Sequence, residues 1–464
     1  MSEPQPPPEP STTAPINRRT EPSEARPDPA EVAGATAVAL FSLGMTAGML
    51  LLLIGFTLIP EPVNEATAEF EAVSAFAASH FVRELSPTEL SERALHGMLD
   101  GLDDYSRYHD RGDAERARRE IDGDFRGIGV VFKPPTSDAQ ILFPVDGSPA
   151  VKAGVRVGDR FVEIDGEAIA GLNGTELRER LAPKGRKFVN VRVVGLDGET
   201  RDLVIEPELL VDPTVRHVGM IEGEPGVGYL AVRSFTNNTS REFDRELTRL
   251  RDQGAESVIL DFRFNYGGVL DAAVEMAGRF LDKGVIVSSE GRIHNEAHLA
   301  DDINPLFKGL GVVVLVNGDS ASASEVFAGA LQDYRAAVVV GEATFGKGML
   351  QTTRSFPAFG SRAKVTSAYF YSPSHRNFER SSDPDRDYGI LPDLTVSIDE
   401  ARRRSLHVWI ARYDPPPSAL TALLEWEADS DESILPEPPR DPQLEAAIAI
   451  LRGESPGPRL AESR

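Results

Sequence analysis

The chain has no cysteine among its 464 residues. That absence excludes disulfides, thiolate metal sites and a cysteine nucleophile, and it leaves the compartment open. Basic residues are scarce beside acidic ones. Lys and Arg number 49 against 73 Asp and Glu, a formal net charge of -24. A surface of that sign repels nucleic acid and argues against a DNA or RNA partner. There are 8 histidines, and none forms an H-E-x-x-H pair. His294 and His298 would share one face of a helix, but the stretch from Gly291 to Asp302 is polar and loop-like. Neither a metal site nor a cofactor is expected. No internal repeat is visible.

What is present falls into blocks. An apolar fraction of 41% supports ordinary cores, and the length suits two or three domains. Residues 1–31 are rich in Pro, Glu, Ser and Thr and read as a disordered tail. Val32 to Ile59 carries no charge and exceeds the roughly 20 residues that a spanning helix needs. A transmembrane helix is expected at 32–59. The long preceding segment and the lack of a small-x-small site favour a retained anchor over a cleaved signal. Arg18, Arg19 and Arg26 precede the run, and no Lys or Arg occurs from Glu61 to His80. The N-terminus is therefore expected in the cytoplasm and the rest outside. In a bacterium with two membranes, that means a single-pass protein of the inner membrane facing the periplasm.

Residues 65–118 read as helical. Phe70, Val73, Phe76 and Phe81 recur at near-helical spacing, and Ser86 and Ser91 look like N-caps. Over 119–209, short apolar runs alternate with Gly-rich turns, the pattern of a small strand-rich domain. Over 210–400, buried strands alternate with helices. Val258-Ile259-Leu260 and Val312 to Val316 have the β-branched character of central parallel strands, which predicts α/β architecture. Residues 401–464 read as an acidic, Pro-interrupted tail with one short helix near Gln443 to Leu451.

In open parallel sheets, ligands collect beyond the carboxyl ends of the strands. Three loops leave such ends: Arg263 to Gly268, Asn317 to Glu325, and Gly341 to Gly348. If the strands are parallel, the three meet at one edge. Their contents suit acyl transfer. Ser322 sits at the start of a predicted helix, where N–H groups are unpaired and the dipole favours negative charge. Lys347 lies between two glycines, and a desolvated amine there could take a serine proton. Gly267-Gly268 exposes N–H groups that could hold an oxyanion. Blander readings stay open. Ser320, Ser322 and Ser324 could all be caps, and Lys347 could be a surface turn. A Ser–His–Asp triad with distant partners is not excluded.

These residues resemble the carboxy-terminal processing peptidases, or tail-specific proteases, over about Phe70 to Ile398. The match runs through Ser320 to Glu325, Ala328 to Asp333, Gly341-Glu342, Thr344 to Gly348 and Gln351. The resemblance implies a crotonase- or ClpP-like α/β core with an inserted PDZ domain. It implies Ser322 as nucleophile, Lys347 as general base and Gln351 supporting the lysine, with Asp333 in a supporting role. The amides of Gly268 and Ala323 would form the oxyanion hole. Gly127-Ile128-Gly129-Val130 looks like the PDZ carboxylate-binding loop, which takes a chain end through free N–H groups and a strand edge. Leu102-Asp103, Tyr105 to Tyr108 and Gly389 to Asp393 match further family elements. Departures are Tyr266 and Asp104 where the family has Pro, and His375 in a turn that usually holds Gly.

The expected protein is a membrane-anchored serine endopeptidase that selects extracytoplasmic proteins by their C-terminal tails. The PDZ domain leaves room for an adaptor protein as a further partner. A silent scaffold would have no reason to keep Ser322, Lys347 and Gln351. A crotonase-like lyase would show a basic acyl-CoA patch or paired catalytic glutamates, and neither is evident. Substrate identity and oligomeric state are not readable.

Overall fold

Runs of Val, Ile and Leu bounded by polar turns favour buried strands, and a computed structural model of the chain forms them there. The structure describes residues 41, 44–46, 48–49, 65–133, 139–182, 185–381, 383, 386–431, 433–434 and 437–454. The tail expected at 1–31 and most of the span expected at 32–59 lie outside the described residues. Among the described residues, no helix is long and apolar enough to cross a membrane.

The chain divides into two units, 1–90 and 91–464. In the first, the helix Glu65–His80 buries none of its residues. Ser86 accepts a hydrogen bond from the Glu89 N–H at 3.1 Å and so caps the next helix, Pro87–Asp100. Ser91, expected as a second cap, lies inside that helix instead.

The second unit is built on a six-stranded sheet. Its strands are β1 (Val215–Met220), β2 (Val227–Val232), β3 (Ser257–Asp261), β4 (Gly311–Val316), β5 (Val338–Gly341) and β6 (Leu394–Thr395), and their spatial order is their chain order. β1 is antiparallel to β2, and every other pair is parallel. Parallel neighbours need crossovers, and a constant hand puts consecutive crossovers on one face. Helices α1 (Thr239–Asp252), α2 (Leu270–Gly278) and α3 (Ala323–Asp333) accordingly share one core with Val258, Leu260, Val312, Val314 and Val339. Residues between them along each strand point the other way.

That second face is closed by the C-terminal region. Ile259, Val313, Leu315 and Val340 pack with Ala446 and Ala447 of the last helix. Residues 401–464 are thus more than an acidic tail with one helix. They follow into α4 (Glu400–Ala411), α5 (Pro417–Ala428) and α6 (Pro442–Leu451). α6 is tied down by charge as well. The fully buried Arg263 guanidinium is gripped by Asp261 and by Asp441, each at 2.6 Å, and by the Gln443 side chain at 2.9 Å. Two bidentate carboxylates match the guanidinium fork, the geometry that offsets the desolvation of a buried charge.

The strand-rich domain enters and leaves through one antiparallel pair, Asp124–Gly127 with Glu208–Val211. Its own core includes Ile128, Ile141, Phe161, Leu177, Val191 and Ile205. α5 packs Leu423 and Trp426 against Phe143 and Val131 of this domain. A separate antiparallel sheet pairs Arg107–His109 and Met349–Phe356 with Ser361–Tyr371, and it flanks the third loop.

Candidate active site

Because β3, β4 and β5 are adjacent and parallel, the three loops do leave one sheet edge. The first loop is held to the second by Asn265. Its carbonyl accepts from the Ala321 N–H at 3.0 Å and from the Ser324 hydroxyl at 2.9 Å. Its side chain reaches the Val232 carbonyl at 2.8 Å and accepts from the Gly267 N–H at 2.9 Å.

The three serines now separate by chemistry. The Ser320 hydroxyl donates to the Phe262 carbonyl at 2.9 Å and is fully buried. Ser324 is buried and committed to Asn265. Ser322 alone has a positive φ, 56°, and its hydroxyl, set in a capping box with Glu325, makes no hydrogen bond to another loop among the described residues. A non-glycine residue at positive φ costs energy that the surrounding contacts must hold. The strained residue is also the one of the three whose hydroxyl is not committed to the first loop.

Those contacts centre on Glu325, a fully buried carboxylate. One oxygen accepts from the Ser322 N–H at 2.7 Å and from the Lys347 N–H at 2.8 Å. The other accepts from the Thr344 hydroxyl at 2.6 Å and the Gly346 N–H at 2.7 Å. Burial pushes its pKa up, and these bonds pull against that rise. The second and third loops thus share one acceptor. Sequence reasoning passed over Glu325, because a Glu three residues after a Ser reads as a local capping box.

Lys347 is partly buried. Burial and the charge of Lys364 lower its amine below the usual lysine range, while Glu379 and Glu325 oppose the change. Its Nζ lies 4.7 Å from the centre of the Tyr105 ring. Tyr105 is aimed there by its turn. Asp103 accepts from the Tyr105 and Ser106 N–H groups, each at 2.7 Å, and the buried Ser106 hydroxyl accepts from the Thr366 N–H at 3.1 Å.

The glycine pair lies against the serine loop. A Cβ on Gly267, φ 94°, would fall 2.8 Å from the Ser322 Cβ and 3.0 Å from the Ala323 nitrogen. Only glycine fits at that approach. The N–H groups of Gly268 and Ala323 have no acceptor among the described residues. Two unpaired donors beside a free hydroxyl are what a developing oxyanion needs. Tyr266 stands 63% exposed above them.

Other expected residues fall elsewhere. Gln351 donates to the Met349 carbonyl at 2.9 Å, on a strand next to the third loop. Asp333 ends α3, at the opposite end from Ser322, and accepts from the Ser374 N–H at 2.9 Å. It holds the turn at Ser374 and does not approach the hydroxyl. In the PDZ-like loop, Gly129 has φ 76° and a Cβ there would strike Ser148 at 2.4 Å. Ile128 buries its side chain in the domain core, so that side chain is not offered to a ligand. Val130 begins the strand Val130–Phe132. Gly127 ends the strand Asp124–Gly127. The Ile128 and Gly129 N–H groups have no acceptor among the described residues. His294 and His298 lie on and beside the strand Asn295–Leu299, not on one helix face.

A free serine hydroxyl, a desolvated amine and paired amide donors at one sheet edge make a hydrolase of the acyl-transfer class. Comparison with known proteins carries this further. A model of peptidase family S41 matches residues 226–396, and a PDZ domain model matches 144–193. The carboxy-terminal-processing protease of Bartonella bacilliformis is 32% identical over 381 residues, covering 79% of this chain and 83% of that protein. A probable CtpA-like serine protease of Staphylococcus aureus is 33% identical over 345 residues, covering 73% of this chain and 66% of its own length. Among solved structures, the photosystem II D1 C-terminal processing protease matches with 27% identity and a TM-score of 0.40, over 69% of this chain and 85% of its own. The chain belongs to peptidase family S41, with the carboxy-terminal-processing proteases, and is a serine protease carrying a PDZ domain.

Proposed function

We propose that this protease works through a Ser322–Lys347 dyad on extracytoplasmic proteins, from a membrane anchor at 32–59, and selects them by their C-terminal tails. The single observation that carries the dyad is the shared carboxylate of Glu325, which accepts from the backbone of both residues. Ser322 Oγ attacks the scissile carbonyl while the Lys347 amine takes its proton. The Gly268 and Ala323 amides hold the oxyanion. The ammonium returns the proton to the leaving amine, and water then releases the acyl group by the same exchange. Gln351 lies near enough in sequence to steady the hairpin behind the amine. Asp333 acts at most through the turn it holds.

Lys364 supplies the test of the electrostatics. It lowers the Lys347 amine by like-charge repulsion. Lys364→Gln removes that charge, so the amine regains protons and the rise of kcat/KM with pH moves to higher pH. A profile that stays in place would mean that Lys347 does not titrate in catalysis.

Tail selection is supported by the free Ile128 and Gly129 N–H groups beside a strand edge. Three forms of one unstructured substrate measure it: an apolar C-terminus, the same chain ending in Asp-Asp, and a C-terminal amide. The apolar acid is expected to be cleaved fastest, and equal efficiency for all three would refute tail reading. An adaptor would be a further partner of the same loop. The anchor and the periplasmic side rest on the uncharged run and its basic flank. Protease added to spheroplasts is expected to digest the catalytic region, and protection of that region would reverse the topology.

A further inference from the structure

We propose that the cavity between the strands carrying the PDZ domain and the segment that follows β2 binds a carboxylate of the substrate chain. The inference rests on the chain acting on proteins. The cavity has a volume of about 620 Å³, within the range of sites that enclose a ligand group. Its walls come from the helix Arg111–Asp122, the strand Asp124–Gly127 and the segments around residues 214 and 234.

Four guanidinium groups line it: Arg116, Arg119, Arg216 and Arg233. Two are already engaged. Arg216 donates to Asp212 at 2.6 Å and stacks on Tyr413, and Arg116 pairs with Asp113. The Arg119 and Arg233 side chains have no hydrogen-bond acceptor among the described residues, and Nη1 of Arg233 is buried. A buried guanidinium donor without an acceptor is costly and calls for an explanation. Glu120 and Asp124 also line the cavity, yet neither accepts from these two arginines. A planar carboxylate matches the guanidinium fork that remains, and Phe125, 42% exposed, adds an apolar wall for the chain beside it.

The position gives the site a use. Two residues beyond Arg233, Phe235 donates to the Gly267 carbonyl at 3.1 Å and accepts from the Val269 N–H at 2.9 Å. Asp124 and Phe125, on the opposite wall, belong to the pair through which the PDZ domain joins the core. A bound carboxylate therefore bridges the PDZ attachment and the segment that holds the glycine loop. Its source is either the free C-terminus of the substrate or an acidic side chain within it.

The experiment is equilibrium binding of labelled heptapeptides to the full chain carrying Ser322→Ala, read by fluorescence anisotropy. Three peptides share one neutral sequence: a free acid, a C-terminal amide, and the amide with one internal Glu. A carboxylate-bearing peptide is expected to bind about tenfold tighter than the plain amide. Arg233→Gln should lower that advantage, leaving to the free acid only the part that the PDZ loop supplies, and Arg119→Gln should reduce it less. Loss for the free acid names the chain end, and loss for the internal Glu names a side chain. Arg119 is exposed, so Arg119→Gln still reads the site if Arg233→Gln fails to fold. Unchanged binding of all three peptides by Arg119→Gln and by a folded Arg233→Gln would overturn the proposal. So would a preference for the acid that Arg233→Gln leaves undiminished, which would belong to the PDZ loop alone. Binding needs no turnover, so inactivity of the chain with Ser322 intact would fault the peptidase reading and leave this result standing.

Discussion

Lys347→Arg is expected to lower kcat by about a thousandfold while the melting temperature stays near that of the parent. The substitution keeps a cation at the site, and a guanidinium can lie on the Tyr105 ring as the ammonium does at 4.7 Å. What it removes is the ability to shed a proton at working pH. The Lys347 amine is lowered by burial and by Lys364, so the neutral form becomes populated as pH rises toward the alkaline side. Activity should therefore climb with pH in the parent, and the variant should lack that limb. Ser322→Ala sets the floor. Near-normal turnover by Lys347→Arg would remove the lysine from the mechanism.

Glu325→Ala should cost about a hundredfold or more in kcat and also lower stability. The carboxylate takes four donors, from Ser322, Thr344, Gly346 and Lys347. Truncation leaves those donors buried and unpaired, at about 1–3 kcal/mol for each that finds no water. The strained φ of Ser322 and the path of the third loop then lose their common tether. Glu325→Gln keeps the shape and one accepting oxygen, so it should recover part of both losses. Steady-state kinetics with thermal melts of the two variants measure this. An alanine variant within threefold of the parent in kcat would show that Glu325 does not position the pair.

The layout of this site was open to sequence reading because strand composition dictates it. Runs such as Val312 to Val316 can only be buried, buried parallel strands end at one edge, and the loops between them were therefore neighbours. Which serine is free was named by the family resemblance and could not be read from spacing. Ser320, Ser322 and Ser324 differ by a backbone angle and by bonds to Phe262 and Asn265, and both depend on loops 50 or more residues apart, as the separations of 58 and 59 show. Glu325 was hidden for the same reason, since its Thr344 and Lys347 partners lie 19 and 22 residues on. The last helix was visible as a helix. Its task was not, because local composition cannot say that the second face of the sheet would otherwise be bare. Asp333 was assigned by position in a motif, and only the direction of α3 shows that it lies at the far end.

The buried Arg263 also has a meaning in time. Synthesis runs from the N-terminus, and Arg263 is made 178 residues before Asp441. At about 5–20 residues per second, that interval is about 9 to 36 s. Throughout it, the cation has only Asp261 to neutralise it, and the strands around it lack the helix that covers them. The segment leading into the glycine loop is completed only when residues as far as Asp441 have emerged. A peptidase assembled in that order has no finished cutting edge while its own unfolded chain is the nearest substrate.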